Sequence, residues 1–359
     1  MNVQVWLCHL AVCRSLVAAA LLLVTATTPA LGVEEQGLAK RYFAEFVPFV
    51  QNEIKSTFNG RDGVPIAYRM FRHAGAKGGI VLVHGYGEST LKNAELIHDL
   101  IRAGYNVYSF DLRGMGESGR MLANPQIGHV ASFDDYVEDL KTFVGTIVKP
   151  VETLDLFLIG HSTGGLASAL LLEQHDNLFK AVAWSAPLFR VQSRAIPYWL
   201  AYSSIWAAVK LGYGERYVPF FGDYDAKDDQ PEKSHVTHSL IRAQNASLLY
   251  KQMPQLRIAG TSNSWVYNAA NFGAAAVAAA AKIQTPILLI QAGADVVVSN
   301  EAQRAFCEKA PHCHLVLAAE AKHEVLNEVD PIRDTALKQM LDFFASNATV
   351  HSKANARDY

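Results

Sequence analysis

Three residues far apart in the chain could together perform acyl transfer: Ser162 within Gly160-His161-Ser162-Thr163-Gly164, Asp295 within Ala292-Gly293-Ala294-Asp295, and His323 within Ala321-Lys322-His323-Glu324. A serine hydroxyl is a weak nucleophile at neutral pH and needs an imidazole to take its proton. The imidazole in turn needs a carboxylate to fix its tautomer and stabilise its cationic form. The tetrahedral intermediate also carries an oxyanion that two N–H donors must meet. The main-chain N–H groups of Thr163, directly after the serine, and of Tyr86, between Gly85 and Gly87, are the candidate donors. Other histidines fit less well: His84 lies in the Tyr86 loop, His161 beside the serine, His98 and His175 on helices, and His129 in a loop before a helix.

Such residues act together only if strand ends bring them to one rim. The apolar run 154–159 closes on glycines and continues into Leu, Ala and Ser at helical spacing. It predicts a buried strand turning sharply into a helix over 166–174, with the serine at the turn. The aliphatic run 80–83 predicts a buried strand leading into the Tyr86 loop. Further strands are expected over 106–110, 181–185, 286–291 and 314–317, the last two leading into Asp295 and His323. Helices are expected over 93–103, 132–148 with Ser132 as N-cap, 299–307 and 331–346, with Asp330 capping the last. Strands over 53–59 and 66–71 read as a hairpin closed by Gly60-Arg61-Asp62-Gly63.

This alternation implies an α/β fold: a mostly parallel twisted sheet with helices on both faces. It fails from 188 to 271. There Tyr198, Tyr202, Ile205, Trp206 and Val209 recur at helical spacing, so a helical cap with an aromatic stripe is expected after the sixth strand. The stripe suits either the cap's own core or an acyl pocket and membrane-surface contact. The expected division is 1–32 signal or anchor, 33–187 first part of the core, 188–271 cap, 272–347 second part of the core, and 348–359 polar tail.

At 359 residues, 50% hydrophobic and 18% charged with net charge −2, the chain has the composition of a globular enzyme and no basic footprint for nucleic acid. No His, Cys, Asp or Glu set has zinc spacing, so neither metal nor cofactor is expected. Arg14, the apolar stretch 16–24 and Ala30-Leu31-Gly32 read as an export signal cut near Gly32, giving a periplasmic or secreted chain; an uncleaved membrane anchor is the rival. Cys307 and Cys313 then remain, as one disulfide or as two buried thiols. The loop Asp111-Leu112-Arg113-Gly114-Met115-Gly116-Glu117-Ser118 does not place Lys and Ser/Thr as a phosphate loop requires and reads as structural, with Asp111 and Arg113 paired locally.

Taken together, His84-Gly85-Tyr86-Gly87-Glu88, the 111–118 loop, Gly160-His161-Ser162-Thr163-Gly164-Gly165, Gly293-Ala294-Asp295 and Ala321-Lys322-His323-Glu324 stand in the order Ser, Asp, His. The chain therefore resembles the lysophospholipase, monoacylglycerol lipase and serine-aminopeptidase-like branch of the α/β-hydrolases over about 42–345, the bacterial lysophospholipases most of all. The resemblance implies a triad of Ser162, Asp295 and His323 with Tyr86 and Thr163 as oxyanion donors. It implies hydrolysis of lysophospholipid or monoacylglycerol esters through an acyl-enzyme, without a cofactor. A peptidase on the same scaffold and a non-catalytic binding protein are the alternatives. Thr163 replaces the methionine common after the nucleophile, Ser89 replaces a frequent histidine, and the stretch 260–265 lacks the usual proline before its tryptophan.

Overall fold

The computed structural model describes residues 34–193 and 196–349, so the 1–32 segment expected as signal or anchor and most of the 348–359 tail lie outside the described residues. One eight-stranded sheet contains β1 (Ser56–Asn59), β2 (Pro65–Phe71), β3 (Gly79–Val83), β4 (Asn106–Phe110), β5 (Leu156–His161), β6 (Ala181–Ser185), β7 (Ile287–Ala292) and β8 (Cys313–Ala318). Its order is β1-β2-β4-β3-β5-β6-β7-β8. The β1–β2 and β2–β4 pairs are antiparallel and every other pair is parallel. The turn of the opening hairpin is carried by Asp62 at φ 57 and Gly63 at φ 76, a conformation that short polar residues and glycine adopt most readily.

Among the described residues, ten α-helices flank the sheet and build the cap: α1 (Glu35–Arg41), α2 (Val47–Asn52), α3 (Ala94–Arg102), α4 (Phe133–Thr142), α5 (Thr163–Gln174), α6 (Tyr198–Lys210), α7 (Leu240–Gln252), α8 (Asn263–Ala279), α9 (Asn300–Lys309) and α10 (Asp330–Asn347). Every residue of β3, β4, β6 and β7 is buried, as expected of strands covered on both faces. Ser132 caps α4 in a reciprocal box with Asp135. Cys307 and Cys313 form a disulfide between α9 and β8, with Cα atoms 5.1 Å apart.

Three local expectations are corrected. Arg113 does not pair with Asp111: its guanidinium grips Asp139 on α4 with two contacts of 2.6 Å. Asp111 is instead consumed by the main-chain N–H groups of Thr90 (2.6 Å) and Glu117 (2.7 Å). Asp330 does not cap α10; it forms an ion pair with Arg242 of α7 at 2.8 Å. The aromatic stripe of α6 is split, because Ile205 is buried while Trp206 faces outward. One helical face cannot both meet the core and cover its neighbour, and Trp206 lies 100° round from Ile205 on an ideal α-helix.

Between β6 and β7 the described residues add no strand to the sheet. Helix α8 runs across the 271/272 division expected between cap and core, so the two parts share an element. Hydrogen bonds and ion pairs tie the cap to the core at many points. Arg242 of α7 bonds Glu95 of α3 at 2.8 Å, Tyr250 of α7 donates to the Gly87 carbonyl at 2.7 Å, and Glu324 N–H donates to the Val236 carbonyl at 2.8 Å.

Candidate active site

Ser162 sits at the turn between β5 and α5 with φ 49 and ψ −110, a strained backbone for any residue with a side chain. The turn is possible because its neighbours are small. A Cβ on Gly164 would run into the carbonyls of Val83 and His84, and one on Gly165 would lie 2.8 Å from Pro187. Sharp turning carries the hydroxyl clear of the sheet edge and starts a helix directly behind it.

The structure brings the three expected side chains together. His323 Nε2 lies 3.0 Å from Ser162 Oγ, and His323 Nδ1 lies 2.7 Å from Asp295 Oδ2. Asp295 Oδ1 accepts the main-chain N–H groups of Val297 (2.7 Å) and Val298 (3.0 Å). Burial pushes the Asp295 carboxyl up, but His323 and those two N–H groups outweigh it and hold it below the usual carboxylate range. An ionised carboxylate on Nδ1 fixes the proton there and leaves Nε2 as the acceptor facing Ser162.

The two expected oxyanion donors flank the same serine. Thr163 is the first residue of α5, so its N–H has no carbonyl within the helix to meet. Tyr86 follows Gly85, where a Cβ would press on the His161 ring at 2.8 Å and on Ser162 Cβ at 3.3 Å. The Tyr86 ring itself packs edge-on against Trp265, with centroids 4.7 Å apart. The 260–265 stretch builds the start of α8, with Ser262 accepting from Trp265 N–H and meeting His129 Nδ1 at 2.9 Å.

Residues that the sequence reading left unused complete the surroundings. The His161 ring lies 4.9 Å from that of His323, and burial pushes its pKa down, so the neighbour of the proton-accepting histidine stays uncharged. Glu88 and Lys92 form a buried pair, legible only as an i, i+4 spacing. A cavity of about 700 Å³ opens over Ser162 and His323, walled by apolar side chains such as Leu188, Val191, Ile205, Val266 and Val297. Its size falls within the range of small-molecule sites. Among the described residues, no group of three or more His, Cys, Asp or Glu side chains converges as a metal ion would require.

Residues 74–330 match the family model described as "Serine aminopeptidase, S33". This chain belongs to that family. It is a hydrolase of the serine α/β type, and its sheet and helices are those of the α/β-hydrolase fold. The hydrolase is 33% identical over 319 residues to lysophospholipase L2 of Escherichia coli K12, a match covering 86% of this chain and 93% of that protein. It is 24% identical to a monoacylglycerol lipase of Mycolicibacterium smegmatis over 76% of this chain and 90% of that one. Among solved structures, a soluble variant of Saccharomyces cerevisiae monoglyceride lipase with a substrate analogue superposes with a TM-score of 0.64 at 18% identity, covering 84% of this chain and 98% of that one. The monoacylglycerol lipase of Paleococcus ferrophilus gives 0.62 at 22% identity, covering 79% of this chain and 99% of that one, and both likenesses bear on the fold.

Proposed function

We propose that this hydrolase cleaves carboxylic esters of lipids, of the lysophospholipid or monoacylglycerol class, through an acyl-enzyme on Ser162. The observation that carries this reading is the Ser162–His323–Asp295 hydrogen-bond chain opening into an apolar cavity. Ser162 Oγ attacks the ester carbonyl carbon while His323 Nε2 takes its proton, and Asp295 stabilises the imidazolium so formed. The N–H groups of Tyr86 and Thr163 meet the oxyanion. The intermediate collapses as the C–O bond breaks, and the leaving alcohol takes the proton from His323. Water then attacks the acyl carbon as His323 takes its proton, and that proton passes to Ser162 Oγ as the acyl C–O bond breaks, which frees the fatty acid and restores the serine.

The family's name, serine aminopeptidase, makes an aminopeptidase the second reading. Such an enzyme needs an uncommitted carboxylate for the substrate's ammonium group. The acidic residues lining the cavity are Glu88 and Glu324, and Lys92 engages both, which favours the ester. A panel of lysophospholipid, monoacylglycerol and aminoacyl arylamide, run on the wild type and on Ser162→Ala, tests the choice. Turnover of the arylamide alone would overturn the ester reading, and Ser162→Ala turnover equal to wild type would overturn the mechanism.

Two further parts of the reading are proposed with it. The chain is exported, cleaved near Gly32 or held by an uncleaved anchor; the Cys307–Cys313 disulfide supports an oxidising compartment. The cap contacts lipid surfaces, supported by exposed Trp199, Phe220 and Phe221 beside the cavity. N-terminal sequencing of the exported chain and vesicle co-sedimentation test them. A full-length chain in the cytosol and no vesicle binding are the contrary results.

A further inference from the structure

Beside the Ser162–His323 pair lies a buried ion cluster that the proton transfers do not use. Glu88 Oε2 accepts the N–H of Gly85 at 3.0 Å, one residue before the Tyr86 donor, and Glu88 Oε1 meets Lys92 Nζ at 2.5 Å. The same ammonium reaches Glu324 Oε1 at 2.7 Å. Glu324 directly follows His323 in the chain, and its second oxygen accepts from Asn327 at 3.0 Å. Lys92 is fixed from behind as well, since its carbonyl accepts the Tyr42 hydroxyl at 3.0 Å.

The ionic state of this cluster follows from its neighbours. Burial pulls the Lys92 ammonium down, but Glu324 and Glu88 outweigh it and hold it well above the ordinary lysine range. Burial pushes Glu88 up, but the Lys92 ammonium that it contacts holds it well below the ordinary carboxylate range. A buried lysine between two carboxylates is an expensive way to stabilise a fold, because apolar side chains of similar volume often serve as well. What it does supply is a directional tie between two loops that share no strand.

We propose that Lys92 is a positioning residue for the hydrolysis. One ammonium holds the loop bearing the Tyr86 N–H and the loop bearing His323 at a fixed separation, so that oxyanion donor and proton acceptor stay matched to the same carbonyl. The inference rests on the ester-hydrolase reading above. It makes Lys92 act through Glu88 on the first loop and through Glu324 on the second, without touching substrate. Loss of about 1 Å in such placement costs on the order of 100-fold in rate.

The test uses the purified chain as wild type, Lys92→Met, Lys92→Arg and Glu324→Gln. Each is titrated to end point with a fluorophosphonate, so that turnover of a p-nitrophenyl ester is read per reactive serine and misfolded protein is not counted. Lys92→Met is expected to lower kcat by roughly 10- to 100-fold with little change in KM. Affinity for an acyl trifluoromethyl ketone, which needs the oxyanion donors, should fall in parallel. Lys92→Arg should recover most of both. Should Lys92→Met yield no titratable serine, Glu324→Gln decides: it keeps the Lys92–Glu88 pair and weakens only the tie to the His323 loop, and is expected to lower both quantities together. Wild-type values of kcat and inhibitor affinity per reactive serine, in whichever of these two variants folds, would overturn the proposal. A wild type that neither turns over esters nor labels would instead remove the functional reading on which it rests.

Discussion

The sheet buries its large aromatic side chains, while the cap leaves several of its own exposed. In the core Trp184, Phe110 and Phe157 are completely buried, whereas in the cap Trp199 is 68% and Phe221 62% exposed. Phe220 is fully exposed and sits at φ 73, in the left-handed region that costs a side-chain-bearing residue energy. The proposed reacting groups Ser162, Asp295 and His323 stand on loops leaving β5, β7 and β8, and the cap contributes cavity wall. Placement to a fraction of an ångström comes from the close-packed part, while the part that meets substrate tolerates loose packing. Substitutions in the two regions should therefore separate: core changes act on chemistry or stability for every substrate, and cap changes act on substrate presentation.

The largest expected effect is on Ser162. Ser162→Ala should abolish ester turnover, by 10⁴-fold or more on the order of magnitude seen when such a nucleophile is removed, with an unchanged fold by circular dichroism. Ser162→Gly should be equally inactive yet melt higher than Ser162→Ala, because only glycine is free of strain at φ 49. Equal melting temperatures would show that the elbow stores no strain.

Next in size is Asp295→Asn, expected to cost on the order of 10⁴-fold in kcat through the wrong imidazole tautomer. Stability gives a second reading. The folded carboxyl lies below its ordinary value of 3.8, so its contribution is complete above that pH and is lost as pH falls through the lower folded value. The melting difference between wild type and Asp295→Asn should be full at pH 6 and shrink below about pH 4. A difference that grows on acidification would reverse the assigned sign.

Much of the core was legible in the sequence because buried parallel strands read as unbroken aliphatic runs. β4 and β6 fall where expected, and β3, β7 and β8 differ by a residue at their ends. The convergence of Ser162, Asp295 and His323 was legible for the same reason, each following such a run. Arg113 was misread because chain proximity offered Asp111 at i−2, whereas the fold offered Asp139 on a helix that packs beneath the loop. The tie from Lys92 to Glu324 was not legible: the two are 232 positions apart, and no local pattern announces the meeting of two loops. In the cap, helical spacing located α6 but left open which of its aromatic residues face the cavity, since an exposed aromatic face and a buried one have the same period.

A third change probes the core's close packing alone. Gly164→Ala puts a methyl against the main-chain carbonyls of Val83, the last residue of central strand β3, and of His84 just after it. Overpacking of this kind typically costs about 1–3 kcal/mol, read as a lower denaturation midpoint. A wild-type midpoint would mean that β3 and α5 are less tightly joined than their geometry indicates.

The smallest expected effect on the isolated enzyme is also the one that sharpens the contrast most. Trp199 and Phe220 are exposed, and Phe220 lines the cavity as well. Replacing both with serine removes little buried area, so stability should move by less than about 0.5 kcal/mol, the usual range for surface changes. Turnover of a water-soluble short-chain ester should likewise stay near wild type, because neither side chain touches the reacting groups. On a long-chain ester presented in vesicles, the same double variant should lose several-fold in kcat/KM, since each aromatic ring withdrawn from a lipid surface forfeits about 1.5–3 kcal/mol at full burial and less at partial burial. The ratio of the two rates is the measurement. If it is unchanged, the exposed aromatic face of the cap serves no lipid surface. If both rates fall equally, the cap acts on the chemistry itself, and the division of labour between the two regions does not hold.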